Sequence, residues 1–262
     1  MLTEILTTIG YSPVQWSGII ISALLIGISR TAISGLAIIA IPLLAGLFGG
    51  RVSTGIILPM LVVADTYAIY HYRRNAHRPT ITNILPWALA GLVLGVSVGA
   101  YIDDRHFKLT IGLIVLVCIL IMLYSSHSSG DTKLPHLLPA FVRDTWILHA
   151  LIGIAGGFAS MIGNAAGPIF WIYLISRNPG KSTFMGTSAW LFFVMNMTKL
   201  PLQILVWQNI TLSNLTPSIL MVPVVLAGTY AGTIIIKYIN EKPFKYLVLG
   251  MSILASLDLI FR

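Results

Sequence analysis

The chain is 262 residues long, 56% hydrophobic and only 9% charged, with a formal net charge of +8 and a mean hydropathy of +0.89. Soluble domains carry about 25% charged residues, so this composition excludes a water-clothed globule and specifies an integral membrane protein. The basic residues fall mostly in short loops between apolar runs, where they orient spans and form no nucleic-acid-binding stripe.

The first sixteen residues hold Glu4 and no basic residue, unlike the charged start of a signal peptide, and neither a lipidation motif nor an appended soluble domain is expected. The first apolar stretch is interrupted. Segments 17–28 and 36–48, 12 and 13 residues long, flank the run Ser29-Arg30-Thr31-Ala32-Ile33-Ser34-Gly35. A spanning helix needs roughly 20 residues, so this pattern predicts paired half-helices meeting inside the membrane. Irregular backbone survives there only where protein buries it or where it lines a cavity. In secondary transporters such a break, once per half, points to the substrate site.

Full-length spans are predicted at 52–71, 84–102 and 108–124. The last contains the only cysteine, Cys118, so neither a disulfide framework nor a thiolate metal site is expected. A polar stretch at 125–145, with Pro135 and Pro139, then joins two membrane halves. A second break, Ser160-Met161-Ile162-Gly163-Asn164-Ala165-Ala166-Gly167-Pro168, precedes spans at 184–207, 215–236 and 244–261.

Residues 1–124 and 146–262 thus share one order, a broken pair followed by three spans. Gly95-x3-Gly99 is echoed by Gly228-x3-Gly232, and Phe107-Lys108 by Phe244-Lys245. If each broken pair is a hairpin, the halves have opposite orientations. Ten basic residues (Arg73, Arg74, Arg78, Lys133, Arg143, Arg177, Lys181, Lys237, Lys242, Lys245) then share one face, against four (Arg51, Arg105, Lys108, Arg262) on the other. Treating each pair as one interrupted crossing gives a weaker split of eight against six. The positive-inside rule favours the hairpins. The expected fold is all-α and polytopic, with two inverted-topology repeats, each a broken or re-entrant helix pair plus three transmembrane helices.

Few ionisable residues fall within the predicted spans: Arg30, Asp65, His149, Lys199 and Asp258. A central charge costs at least about 2.5–3.5 kcal/mol on insertion scales, so each needs a reason. Arg30, at the first break, either pairs with an anionic substrate or forms a salt bridge with Asp65. Asp65 is a proton-coupling candidate or simply the counter-ion of Arg30. Lys199 shares a helix face with Asn196 and faces an anion with it, or else satisfies the carbonyl freed by Pro201. His149 and Asp258 lie near span ends; a single His with no partner at ligand spacing supports no metal site. At the second break Pro168 suits the first turn of a new half-helix, whose amides and dipole would favour an anion. Gly163, Asn164 and Gly167 there, with Thr31 and Ser34 from the first break, complete the expected substrate-binding set. Gly95, Gly99, Gly228 and Gly232 are expected to serve close helix packing.

These segments resemble the TauE/SafE family of membrane permeases, the sulfite exporter family. The likeness runs through Gly27 to Pro42, Gly156 to Pro168, Leu58-Pro59 to Asp65 with Tyr72-Arg73-Arg74, and Gly186-Thr187-Ser188-Ala189-Trp190 to Asn196-Met197-Thr198-Lys199-Leu200-Pro201. It spans residues 17 to 261. The chain departs from the family's glycine-richer first motif at Arg30, Ala32 and Ile33. The resemblance implies a multi-pass cytoplasmic-membrane protein that moves sulfite, sulfoacetate or related sulfonates and carboxylates.

The expected function is secondary transport of a small anion by alternating access, with lipid and substrate as partners, a homo-oligomer left open, and no cofactor. Two other classes compete: an intramembrane serine hydrolase, for which Ser34 and His149 are the only pieces, and a non-transporting subunit of a membrane complex. No Gly-x-Ser-x-Gly elbow supports the hydrolase.

Overall fold

The computed structural model describes residues 10–32, 36–127, 146–176 and 181–235, together with Ile253 and Leu257. Ser34, Asp258, most of the 125–145 connection and nearly all of the predicted 244–261 span lie outside the described residues. Among the described residues the chain is wholly helical. The first hairpin is α1 (Pro13–Thr31) and α2 (Ala37–Phe48), followed by α3 (Gly50–Tyr72), α4 (Arg78–Tyr101) and α5 (Asp104–His127). The second is α6 (Trp146–Gly163) and α7 (Gly167–Ser176), followed by α8 (Lys181–Leu202), α9 (Leu212–Leu220) and α10 (Val222–Ile235). A π-helical turn, Gln203–Trp207, extends α8. Among the described residues five helices are long and apolar enough to cross a membrane, or six if the bent pair α9–α10 counts as one span.

The broken pairs are lopsided, unlike the two half-helices expected. α1 has 19 residues against 12 in α2, and α6 has 18 against 10 in α7. At α1 the cause is local. A capping box (Gln15 N–H to Ser12 Oγ, 3.3 Å; Ser12 N–H to Gln15 Oε1, 2.9 Å) and Pro13 start the helix four residues before its apolar run. At the other end Ser29 and Thr31 remain helical because their hydroxyls donate to backbone carbonyls, Ser29 to Ile26 at 2.7 Å and Thr31 to Thr229 at 2.8 Å.

In each pair the short arm folds back along the long one. Gln15 Nε2 donates to the Leu47 carbonyl at 3.4 Å, and the Tyr11 and Phe48 rings meet with centroids 5.0 Å apart. In the second pair Phe170 fills the space over Gly156, and the rings of His149 and Tyr173 meet at 5.6 Å. The first hairpin opens beside Gly49, where a left-handed backbone (φ 91°) turns the chain into α3 and Asp104 Oδ1 accepts the Gly50 N–H at 2.9 Å. The second opens beside Trp87, whose ring stacks on Trp146 at 5.9 Å. Because α4 runs from the Trp87 end to the Gly99 end, where Arg51 donates to the Ile102 carbonyl at 3.1 Å, the hairpins open toward opposite ends of the bundle.

Glycines let the long arms approach helices of the other half. α1 lies on α10, with Gly27 against the Val225 carbonyl and Gly228 against the Leu24 carbonyl. α6 lies on α4, with Gly157 against the Ala88 carbonyl and Gly91 against the Ile154 carbonyl. Backbone contact this close is how helices associate where lipid removes the hydrophobic drive. Gly95 and Gly232 pack likewise against Met161 and Thr31, and Gly99 takes the edge of Trp207. The run 215–236, expected as one span, is bent by 44° at Met221. Pro223 there has no N–H for the Ile219 carbonyl, so the ladder is interrupted. Outward-facing apolar side chains such as Leu120, Leu151 and Leu205 supply a lipid-facing surface.

Candidate functional site

A polar network crosses the bundle interior where Arg30, near the end of α1, and Asn164, just past α6, approach α3 and α8. Asp65, fully buried on α3, is its centre. Arg30 Nε of α1 lies 3.0 Å from Asp65 Oδ1, yet neither atom is aligned for a hydrogen bond. That contact is a charge pair without the directional bond, so the guanidinium keeps donor capacity. Its plane lies over the Phe192 ring, 4.4 Å from the centroid. Asp65 Oδ2 accepts from Asn196 Nδ2 at 2.6 Å, and Asn196 Oδ1 in turn accepts from Lys199 Nζ at 3.1 Å. Lys199, with no exposed surface, also donates to Ser160 Oγ at 3.3 Å and to Asn164 Oδ1. Its bonds are therefore to side chains of α6, of the break after it and of α8, not to the carbonyl that Pro201 frees.

Local geometry explains why α8 supplies three of these groups. Phe192, Asn196 and Lys199 are spaced four and three apart, a single helical face. Asn164 is placed by the break itself. It adopts a left-handed conformation (φ 55°), which asparagine tolerates better than other side-chain-bearing residues, and ends α6. The Ala165 N–H reaches back to the Ala159 carbonyl at 3.1 Å, and α7 starts two residues later with Pro168 in its first turn. The first amides of α7 have no intrahelical acceptor.

These groups wall a cavity of about 20 Å³ whose lining includes Arg30, Asn164, Gly167, Phe192, Asn196 and Lys199. That is room for roughly one water and is too small for an oxyanion in this conformation. Because Asn164 Oδ1 is taken by Lys199, its Nδ2 is the donor, and that donor is buried without a partner. Two basic groups, one carboxylate, an unpaired amide donor and a helix N-terminus are together groups that can bind a small anion. A wider cavity of about 300 Å³ lies toward the Arg78 end, lined by His77, Thr80, Asn83, Tyr173 and Thr187 among others. α7 is the wall between the two, since Pro168 lines one and Tyr173 the other.

Six expected site residues, Arg30, Asp65, Asn164, Gly167, Asn196 and Lys199, converge here. Thr31 does not: its hydroxyl faces α10 and its carbonyl accepts from Tyr72 at 3.3 Å. Gly163 faces Ile111 of α5. Ser34 lies outside the described residues. The lining residues outside the expected set include Ser160, which is polar, and Phe192, which is aromatic. Each stands four residues before an expected one (Asn164 and Asn196), which is the helical spacing that could have found them. Among the described residues no group of three His, Cys, Asp or Glu is placed to hold a metal.

Comparison with curated proteins and with solved structures finds no match. The family described as sulfite exporter TauE/SafE matches residues 19–259. This multi-pass membrane protein therefore belongs to the TauE/SafE family, whose members are membrane transporters of sulfite-type anions.

Proposed function

We propose that the protein moves sulfite, sulfoacetate or a related small sulfonate or carboxylate across the cytoplasmic membrane by alternating access. The site is the cavity between the two helix breaks. The observation that carries this reading is the unpartnered Asn164 amide donor beside Lys199 and Arg30, an arrangement shaped for an anion. An entering oxyanion takes the Asn164 donor and competes with Asp65 for the Arg30 guanidinium. Loosening that pair separates α1 from α3 and gives binding a mechanical consequence. Asp65, once released, keeps its bond to Asn196 and is the group that would carry a coupled proton.

The reciprocal packing of each hairpin's long arm on the other half, and the opposite directions in which the hairpins open, support two inverted repeats that rock about this site. The face with Arg73, Arg74 and Arg78 is cytoplasmic in this scheme, by the distribution of basic loops.

Proteoliposomes provide the test: counterflow of radiolabelled sulfite and of sulfoacetate, which detects exchange with or without net charge movement. Wild-type protein is expected to show saturable uptake of at least one anion. Asn164→Gly keeps the left-handed backbone while deleting the amide. Since a hydrogen bond to a charged group contributes about 1.5–3 kcal/mol, its half-saturating concentration should rise about 10- to 100-fold, with the protein still monodisperse. Unchanged affinity in that variant would remove Asn164 from the site, and absence of counterflow in wild type would sink the transport assignment for these anions.

A further inference from the structure

A polar side chain with no partner at either end of its amide lies between the central cavity and the Arg51 end of the bundle. Gln203 has no exposed surface, and neither its Nε2 nor its Oε1 finds a hydrogen-bond partner. It follows Lys199 by four residues and so extends the Phe192–Asn196–Lys199 face of α8, about 6 Å further along the axis. Beyond it comes Asn209, whose Nδ2 donates to Thr54 Oγ1 at 2.9 Å and to the Arg51 carbonyl at 2.7 Å, while its Oδ1 is buried and unpartnered.

The level of Gln203 follows from two ties between α3 and the α8 segment. Asn196 holds Asp65, and Asn209 holds Thr54. The helices run antiparallel between these ties, so Gln203, seven residues past Asn196, stands level with Leu58, seven residues before Asp65. Leu58 is itself fully buried, and Leu61 lines the central cavity. One apolar layer and one unpaired amide thus separate two polar layers. Both helices are weakened at this level: Pro59 in α3 and Pro201 in α8 each remove a ladder bond, and the π-helical turn begins at Gln203.

A fully unsatisfied amide in an apolar interior opposes folding, and a leucine of similar length would fit without that cost. We propose that Gln203 is a second hydrogen-bonding station for the transported oxyanion, on its route between the cavity at Lys199 and the face that carries Arg51 and Asn209. This inference rests on the transport reading. Its Nε2 donates to the anion once the Leu58 layer parts at the two prolines. A neutral amide suits that position, because an anion held by two cations must be handed to weaker sites if it is to leave.

Two measurements decide the matter. Gln203→Leu is expected to lower the maximal counterflow rate tenfold or more, while its melting temperature in detergent stays at or above that of wild type. Transport at the wild-type rate, or a melting temperature that falls together with transport, overturns the proposal. The second measurement needs no transport. In a Cys118→Ala background, which removes the only native cysteine, Gln203→Cys should react with an anionic, membrane-impermeant thiosulfonate at least tenfold faster than Leu205→Cys, whose native side chain is 72% exposed on the lipid side. Equal or slower labelling of Gln203→Cys overturns the route. Fast labelling with silent wild-type counterflow keeps an aqueous route at Gln203 and removes the transport reading. Active counterflow with no labelling and no effect of Gln203→Leu does the reverse.

Discussion

Replacing Asp65 with alanine is expected to destabilise the protein by about 3–5 kcal/mol, the usual result of leaving one member of a buried ion pair without its partner. The carboxylate sits at zero exposure with Arg30 3.0 Å from one oxygen and Asn196 2.6 Å from the other. Its loss strands the guanidinium against Phe192 and frees the Asn196 amide, whose other end positions Lys199. The damage therefore spreads from α1 and α3 to the α6–α7 break. The double variant Arg30→Leu/Asp65→Leu removes both charges and keeps apolar volume, a change that is often neutral or stabilising in buried pairs. It should recover most of the stability and none of the anion counterflow. Unfolding of the purified protein in mixed micelles measures both. A single variant as stable as wild type, or a double variant no better than the single, would show that the pair does not hold these helices together.

The ionic part of this site is legible in the sequence for a simple reason: a charge in a span is rare and must be matched. In the sequence Arg30 is either a substrate ligand or the partner of Asp65, and Asp65 either a proton-coupling group or the counter-ion of Arg30; the structure pairs the two, with Arg30 in the cavity wall. Asn196 and Lys199 were joined by their three-residue spacing, and Asn164 by the break it occupies. Lateral orientation was not legible. Thr31 follows Arg30 directly, yet the 100° turn between neighbours sends it to α10 while Arg30 meets α3. Gly163 is turned away from the cavity beside Asn164 in the same way. Small-residue spacing announced close packing at Gly95 and Gly228, but which helix comes close depends on tertiary contacts between halves, as Met161 and the Leu24 carbonyl show. Hydropathy understates the length of α1 because it ends where polar residues begin, whereas the helix continues through hydroxyls that bond to its own or a neighbour's backbone.

Gly157→Val should abolish the folded protein, although Gly157 lies almost two turns from Asn164 and touches no charged group. A β-carbon at this position would overlap the Ala88 carbonyl oxygen and lie 2.9 Å from the carbonyl carbon and 3.0 Å from Gly91 Cα. These are backbone atoms of α4, so no rotamer change relieves the overlap, and the helices must separate along the whole contact. The expected loss is about 3 kcal/mol or more, at or above the upper end for overpacking. Anion counterflow should vanish with it, since α6 carries Ser160 and Asn164 to Lys199. Gly163→Ala provides the contrast. It adjoins Asn164 directly, but the nearest atoms a β-carbon there meets are Ile111 and Ala165 side-chain atoms at 3.4–3.8 Å, ordinary contact distances. That variant should stay within about 1 kcal/mol of wild type, given alanine's advantage over glycine inside a helix. Gly46→Ala, with nothing within 4 Å, should be neutral or slightly stabilising for the same reason. Thermal melting of the three variants in detergent, followed by counterflow of those that fold, orders them. Tolerance of Gly157→Val would mean that α4 and α6 do not approach through their backbones, and the framework that positions Asn164 would have to be sought elsewhere.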